Sequence, residues 1–248
     1  MKNENTSSMP QNDFGSRFNI MRKELMEIDA KLTELQAAKA TIYLQAAVSK
    51  LQRLEKTFGI TSSKLVSDLN NAFAKLKAGD DIKTVEQDVS KILNEIESLR
   101  KDRVEKTKAE LDSLLNKLKK LNNKPPFIRR LIGWRIRRLA MNADLHISVL
   151  AGLYAEKDLR IEGSDLKMLK YLEKNIDDMQ KSADRIKQEL MVLHKQEVER
   201  IERSIAGNMK IIEANDNSPG GKAKKAKTLF ELKINIAMLE KLKKIEGY

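Results

Sequence analysis

The sequence predicts an all-α protein, an elongated helical bundle or antiparallel coiled coil of three long and two to three shorter helices. Three observations predict it. Apolar residues recur at alternating spacings of three and four, which gathers them on one stripe of a helix. The composition is that of solvated helices, 34% charged and 4% aromatic, with only four prolines to interrupt them. No stretch alternates apolar and polar residues at the period of two that a half-buried strand requires. At 41% hydrophobic, the apolar content is too high and too regularly spaced for a disordered chain.

The first fifteen residues are polar and read as a flexible tail, without the apolar core of a secretory signal. The bundle is expected over 16–212. Its first helix, about 16–58, carries Phe18, Met21, Leu25, Ile28, Leu32 and Leu35 as a heptad seam. The seam softens in an alanine-rich stretch and resumes at Leu51, Leu54 and Phe58, and Gly59 ends it. A short helix over 63–78 follows, with Ser62 or Ser63 as N-cap and Leu65, Leu69, Phe73 and Leu76 on one face. Gly79 is its natural left-handed terminator, and Asp81 the cap of the next helix.

That third helix, about 82–122, has the clearest periodicity. Ile82, Val85, Val89, Ile92, Ile96 and Leu99 keep 3-4 spacing. The seam restarts in shifted register at Val104 and continues through Leu111, Leu114, Leu118 and Leu121. A shift of this kind, here near Arg103, is a stutter that changes supercoiling locally. Pro125 and Pro126 then break the rod and suit the first turn of a new helix over 126–157. Ser164 is read as the cap of a last long helix, about 164–212, lined by Leu166, Leu169, Leu172, Ile176, Met179, Ile186, Leu190, Val198, Ile201 and Ile205. "NDNSPGGKAKKAK" places a flexible basic linker at 213–227, before an amphipathic helix at 228–248.

Little in the chain points to catalysis, and a non-enzymatic role without cofactor or metal is expected. Cysteine is absent, which leaves no disulfide framework and no thiolate nucleophile. His146 and His194 are far apart, and neither has a carboxylate or second histidine at metal-ligand spacing. "NDNSPGGK" lacks the first glycine and the Ser/Thr of a phosphate loop. Counted as a calcium loop from Asn215, it ends on Ala226 rather than glutamate. The pairs Asp80–Asp81 and Asp177–Asp178 sit on solvated turns or faces. The longest apolar run, from Leu145, is too short for the ~20 residues a bilayer crossing needs.

Charge is the informative feature. Residues 101–150 hold thirteen basic and five acidic residues, a net +8 of the chain's +12. Between Asp112 and Asp144 there are nine basic residues and no acidic one. A solvated surface mixes both signs, so a block of one sign points to an anionic partner. The candidate contact residues are Lys117, Lys119, Lys120, Lys124, Arg129, Arg130, Arg135, Arg137 and Arg138, with Trp134 as an anchor or stacking residue. Lys222, Lys224, Lys225 and Lys227 form a second basic knot.

Projected on a helix, Ile128, Ile132, Ile136, Leu139, Ala143, Ile147, Leu150 and Tyr154 fall on one stripe, and Phe127, Leu131 and Trp134 on a second. In the plainest reading the first stripe packs and the arginines form a solvated rim. In a second, arginine forks and lysines track a nucleic-acid backbone with little sequence specificity. In a third, arginines beside Phe, Ile and Trp lie in a membrane interface. The lysines add charge without apolar area, which ranks nucleic acid, DNA or RNA, ahead of an anionic membrane surface. A pure protein–protein scaffold is a further alternative. Self-association through the long seams, or docking of a helical protein partner, is expected, in the cytoplasm or peripherally at the inner face of a membrane.

Overall fold

Seven helices and no strand make up the described residues, 13–214 and 219–244, of the computed structural model. They are α1 (Asp13–Phe58), α2 (Ser63–Ala78), α3 (Ile82–Asn122), α4 (Pro126–Leu131), α5 (Gly133–Ala155), α6 (Gly163–Glu213) and α7 (Pro219–Lys243). The chain is all-α. It divides into two units, one of Thr33–Ile176 and the other of Met1–Leu32 with Asp177–Tyr248.

In the first unit the core is built from the alanine-rich half of α1, α2, α3 as far as Val104, and the C-terminal end of α5. Ala40, Leu44, Ala47, Leu51 and Leu54 of α1 bury against Leu65 and Leu69 of α2 and Val85, Val89, Ile92 and Ile96 of α3. The stretch where the heptad seam softens is therefore the most enclosed part of α1, because alanine lets neighbouring backbones approach. Ile42 packs separately with Leu169 and Leu172 of α6. In the second unit, Phe18 and Leu25 of α1 bury against Ala183 and Leu190 of α6. Phe14 stacks near Phe18, ring centroids 5.5 Å apart. α7 is tied to α6 by Asn235, whose amide donates to Ser204 Oγ at 3.0 Å, and by the Lys243–Glu202 ion pair.

The caps follow local chemistry. Ser62 Oγ accepts from the Leu65 amide at 3.2 Å, and Gly79 closes α2 at φ 76°. Asp81 precedes α3, but its carboxylate accepts from the Thr84 hydroxyl rather than from a backbone amide. Ser164 is not the cap of α6: the helix opens one residue earlier, at Gly163 with φ 62°, a conformation that only glycine adopts readily.

Three boundaries differ from the sequence reading. α1 reaches back to Asp13, into the expected tail, whose residues 1–12 lie outside the described residues. The expected helix over 126–157 is two helices, parted at Ile132 and ending at Ala155. The expected linker 213–227 is helical from Pro219 onward, its residues 215–218 lying outside the described residues, as do residues 245–248 of the expected final helix. Proline suits a first helical turn, and the Lys/Ala run after it is made of strong helix formers. Those propensities outweigh the two glycines.

The apolar stripe of α5 also differs. Ile128, Ile132, Ile136, Leu139 and Leu150 are half-buried and Ala143 is buried, but Ile147 and Tyr154 are half-exposed. His146 and Leu153 take their places, so the packed face runs 132, 136, 139, 143, 146, 150, 153. Steps of four and three follow the 3.5-residue repeat of a packed pair rather than the 3.6 of a free helix. Tyr154 is left under Lys108, whose Nζ lies 5.9 Å from the ring centroid.

Candidate anion-binding surface

α3 and α5 form an antiparallel pair in the first unit. Arg100 meets the C-terminal end of α5, and Lys117 meets its N-terminal half across Asn142. The two ends of this pair differ sharply in chemistry.

The base, at the end of α5, is a buried polar knot. In the seam of α3 the spacing 96, 100, 104 uses two consecutive steps of four, so the stutter puts Arg100 where an apolar residue would stand. Arg100 is only 4% exposed. Its Nη1 donates to Leu153 O at 3.0 Å, while Nε and Nη2 grip both oxygens of Glu97 at 2.9 and 2.6 Å. The guanidinium holds the Glu97 carboxyl below the usual carboxylate range. Lys50, also buried, donates to Lys157 O at 3.0 Å. Burial pushes its ammonium pKa down, against the opposing pull of Glu97. Arg53 and Arg160 share the buried Glu156. Cations thus meet the carbonyls that a helix C-terminus leaves open, where its dipole favours positive charge. Sequence reading missed this knot; the one signal was an arginine at a seam position beside the stutter.

The tip is the opposite. All nine basic residues of the acid-free window lie here: Lys117, Lys119, Lys120 on α3; Lys124 in the turn; Arg129, Arg130 on α4; Arg135, Arg137, Arg138 on α5. All are exposed, and among the described residues none forms an ion pair. The nearest pairs in sequence are Lys108–Glu105 and His146–Glu110. The turn is shaped at Ile132. Its amide closes α4 on Ile128 O, and its carbonyl accepts from the amides of Arg135 and Ile136 to open α5. Ile132 is thus the C-cap of one helix and the N-cap of the next.

Large apolar side chains stand out among these cations. Phe127, Leu131 and Trp134 are 68%, 74% and 67% exposed, and Met141 and Leu145 continue at 71% and 61%. Positions 127, 131, 134, 138, 141 and 145 again step by four and three, so α4 and α5 carry a second, outward stripe. Arg138 interrupts it, which is why Met141 and Leu145 escaped notice in the sequence.

Within the tip, the structure brings five of the predicted residues to one groove of about 430 Å³. Lys117, Lys120 and Leu121 line its α3 side; Trp134, Arg135, Arg138, Leu139 and Asn142 line its α5 side. Lys119, Lys124, Arg129, Arg130 and Arg137 lie outside it. Lys222, Lys224, Lys225 and Lys227 belong to the other unit, on α7. There Lys225 is half-buried and Lys227 lies 4.0 Å from Glu231.

Both histidines bond to helix carbonyls: His146 Nδ1 donates to Asn142 O at 2.7 Å and His194 Nε2 to Leu242 O at 3.0 Å. Among the described residues no group of three His, Cys, Asp or Glu side chains is placed to hold a metal ion. None of the described helices is long and apolar enough to cross a membrane. The chain matches no family model, no curated protein and no solved structure.

Proposed function

We propose that the tip of the α3–α5 pair binds an anionic membrane surface, as a peripheral and non-catalytic contact. One observation carries this reading: an exposed apolar stripe, from Phe127 to Met141, bordered by unpaired arginines with no acid before Asp144. Seating Phe127, Leu131 and Trp134 among acyl chains is worth roughly 5 kcal/mol in all. Each basic residue near an anionic surface adds about 1 kcal/mol. Either contribution alone gives weak attachment, and the two together suffice. A nucleic-acid backbone would use the cations and could stack Trp134, but it leaves Leu131, Met141 and Leu145 in water.

The test is co-sedimentation with phosphatidylcholine vesicles, with and without phosphatidylserine, while the single tryptophan's emission is recorded. Binding to the anionic vesicles with a blue shift is expected. Sedimentation without a shift, or none at all, overturns the reading.

A second reading, weakly specific binding of DNA or RNA, is favoured by the lysines of α3 (Lys117, Lys119, Lys120), which add charge without apolar area. Gel shifts at low and moderate salt test it. Retardation that disappears on changing the three lysines to glutamine supports it, and none at low salt removes it.

A further inference from the structure

We infer that the groove between α3 and α5 is a headgroup site for a lipid that carries two phosphate groups. The inference rests on the membrane reading and concerns what the surface recognises rather than whether it binds. Its starting point is the arrangement of charge. Lys117 and Lys120 are three residues apart on α3, and Arg135 and Arg138 are three apart on α5. Residues at this spacing share a helix face, with Cβ atoms about 5–6 Å apart. The groove therefore has two cation pairs facing each other, one ammonium pair and one guanidinium pair.

A single phosphate on either pair leaves the other two cations uncompensated. Two phosphates joined by a short bridge satisfy both pairs at once. Guanidinium forks take phosphate oxygens bidentately and ammonium groups act as point charges, so the two sides are complementary rather than redundant. Asn142, an exposed lining residue on α5, adds an amide donor, and the volume of about 430 Å³ exceeds what one phosphate fills. The source is a lipid rather than a soluble diphosphate because Trp134 lines the same groove and opens onto the exposed stripe of Leu131 and Met141. That stripe continues the site into the acyl region.

Another groove shows what an ordinary charged cleft in this chain looks like. Between α2 and α3, Lys64, Lys75 and Lys91 line a groove of about 490 Å³ together with Asp68, Asp88 and Glu95. There Lys64 pairs with Glu95 and Lys75 with Asp88, each at 2.6 Å. That cleft neutralises itself. The α3–α5 groove has no acidic lining residue.

The experiment compares phosphatidylcholine vesicles containing cardiolipin with vesicles containing phosphatidylglycerol at matched surface charge, using the full chain. Cardiolipin vesicles are expected to bind about tenfold more tightly. Lys117→Gln with Lys120→Gln should bring the two to parity, whereas Arg130→Gln with Arg137→Gln, outside the groove, should weaken both equally and keep the preference. Helical content by circular dichroism checks that each variant folds. Equal binding to both vesicle types overturns the headgroup site while leaving the membrane reading intact; binding to neither overturns the membrane reading itself. Full displacement from cardiolipin vesicles by soluble pyrophosphate at low concentration would show a diphosphate site that makes no use of the lipid, and would also overturn the proposal.

Discussion

At the residue scale, Arg100 is the side chain on which the α3–α5 base turns. It fills a seam position, closes a carbonyl of α5 and forms a two-pronged bond to Glu97. Lysine cannot replace a planar fork of donors, so Arg100→Lys and Arg100→Met should both destabilise. For Arg100→Met we expect a loss of about 2 kcal/mol, below the usual cost of breaking a buried pair because Glu97 keeps contact with water. Urea unfolding followed by circular dichroism measures it. The pH dependence follows from the lowered pKa of Glu97. A carboxylate held below its unfolded value contributes stability that is present above the ordinary carboxylate range. That contribution disappears as pH falls through the depressed value. The parent protein should therefore lose stability on acidification more steeply than Arg100→Met; parallel pH profiles would refute the linkage. Beyond an arginine at a seam position, none of this was legible in the sequence, since Arg100, Leu153 and Lys50 are brought together only by folding.

At the scale of elements, two glycines of α5 make opposite predictions. Gly133 begins the helix just after the break at Ile132, and a Cβ placed there meets nothing within 4 Å. Gly133→Ala should stabilise by up to about 1 kcal/mol through helix propensity alone. A Cβ on Gly152 would stand 2.9 Å from the ring of Phe58. Overpacking of this kind costs about 1–3 kcal/mol, more than propensity returns, so Gly152→Ala should lower the melting temperature while Gly133→Ala raises it. Calorimetry on the pair of variants decides both. The sequence revealed the helices where a heptad seam or a cap signal was strong: the bounds of α2 and α3, Ser62, Gly79 and the double proline. It failed where tertiary packing overrides local pattern. The register of α5 at His146 and Leu153 is set by α3, and the Lys/Ala run of α7 is helical although its glycines read as a linker.

At the scale of the whole molecule, the separation of charge decides behaviour. The basic block was plain in the sequence because it needs no folding to be counted. Its division into a groove-lining set and an outer set was not, because that depends on how α3 and α5 are paired. Among the described residues, several of the other ion pairs are exposed ones joining residues three or four apart on a helix, such as Lys181–Asp177 and Arg185–Glu189, whereas those around Arg100 and Glu156 are buried and little screened. The exposed pairs contribute little to stability. Raising salt should therefore weaken binding to anionic vesicles severalfold and leave the unfolding midpoint nearly unchanged; a midpoint that shifts in step with binding would contradict this. The contrast between the two ends of α5 has a mechanical meaning as well. A helix of 23 residues, about 35 Å long, is anchored at one end by buried charge and lightly held at the other by half-buried side chains. Load applied at Trp134 should therefore loosen the α4 end of the pair first, and detachment from a surface should peel from the tip while the anchorage at Arg100 stays closed.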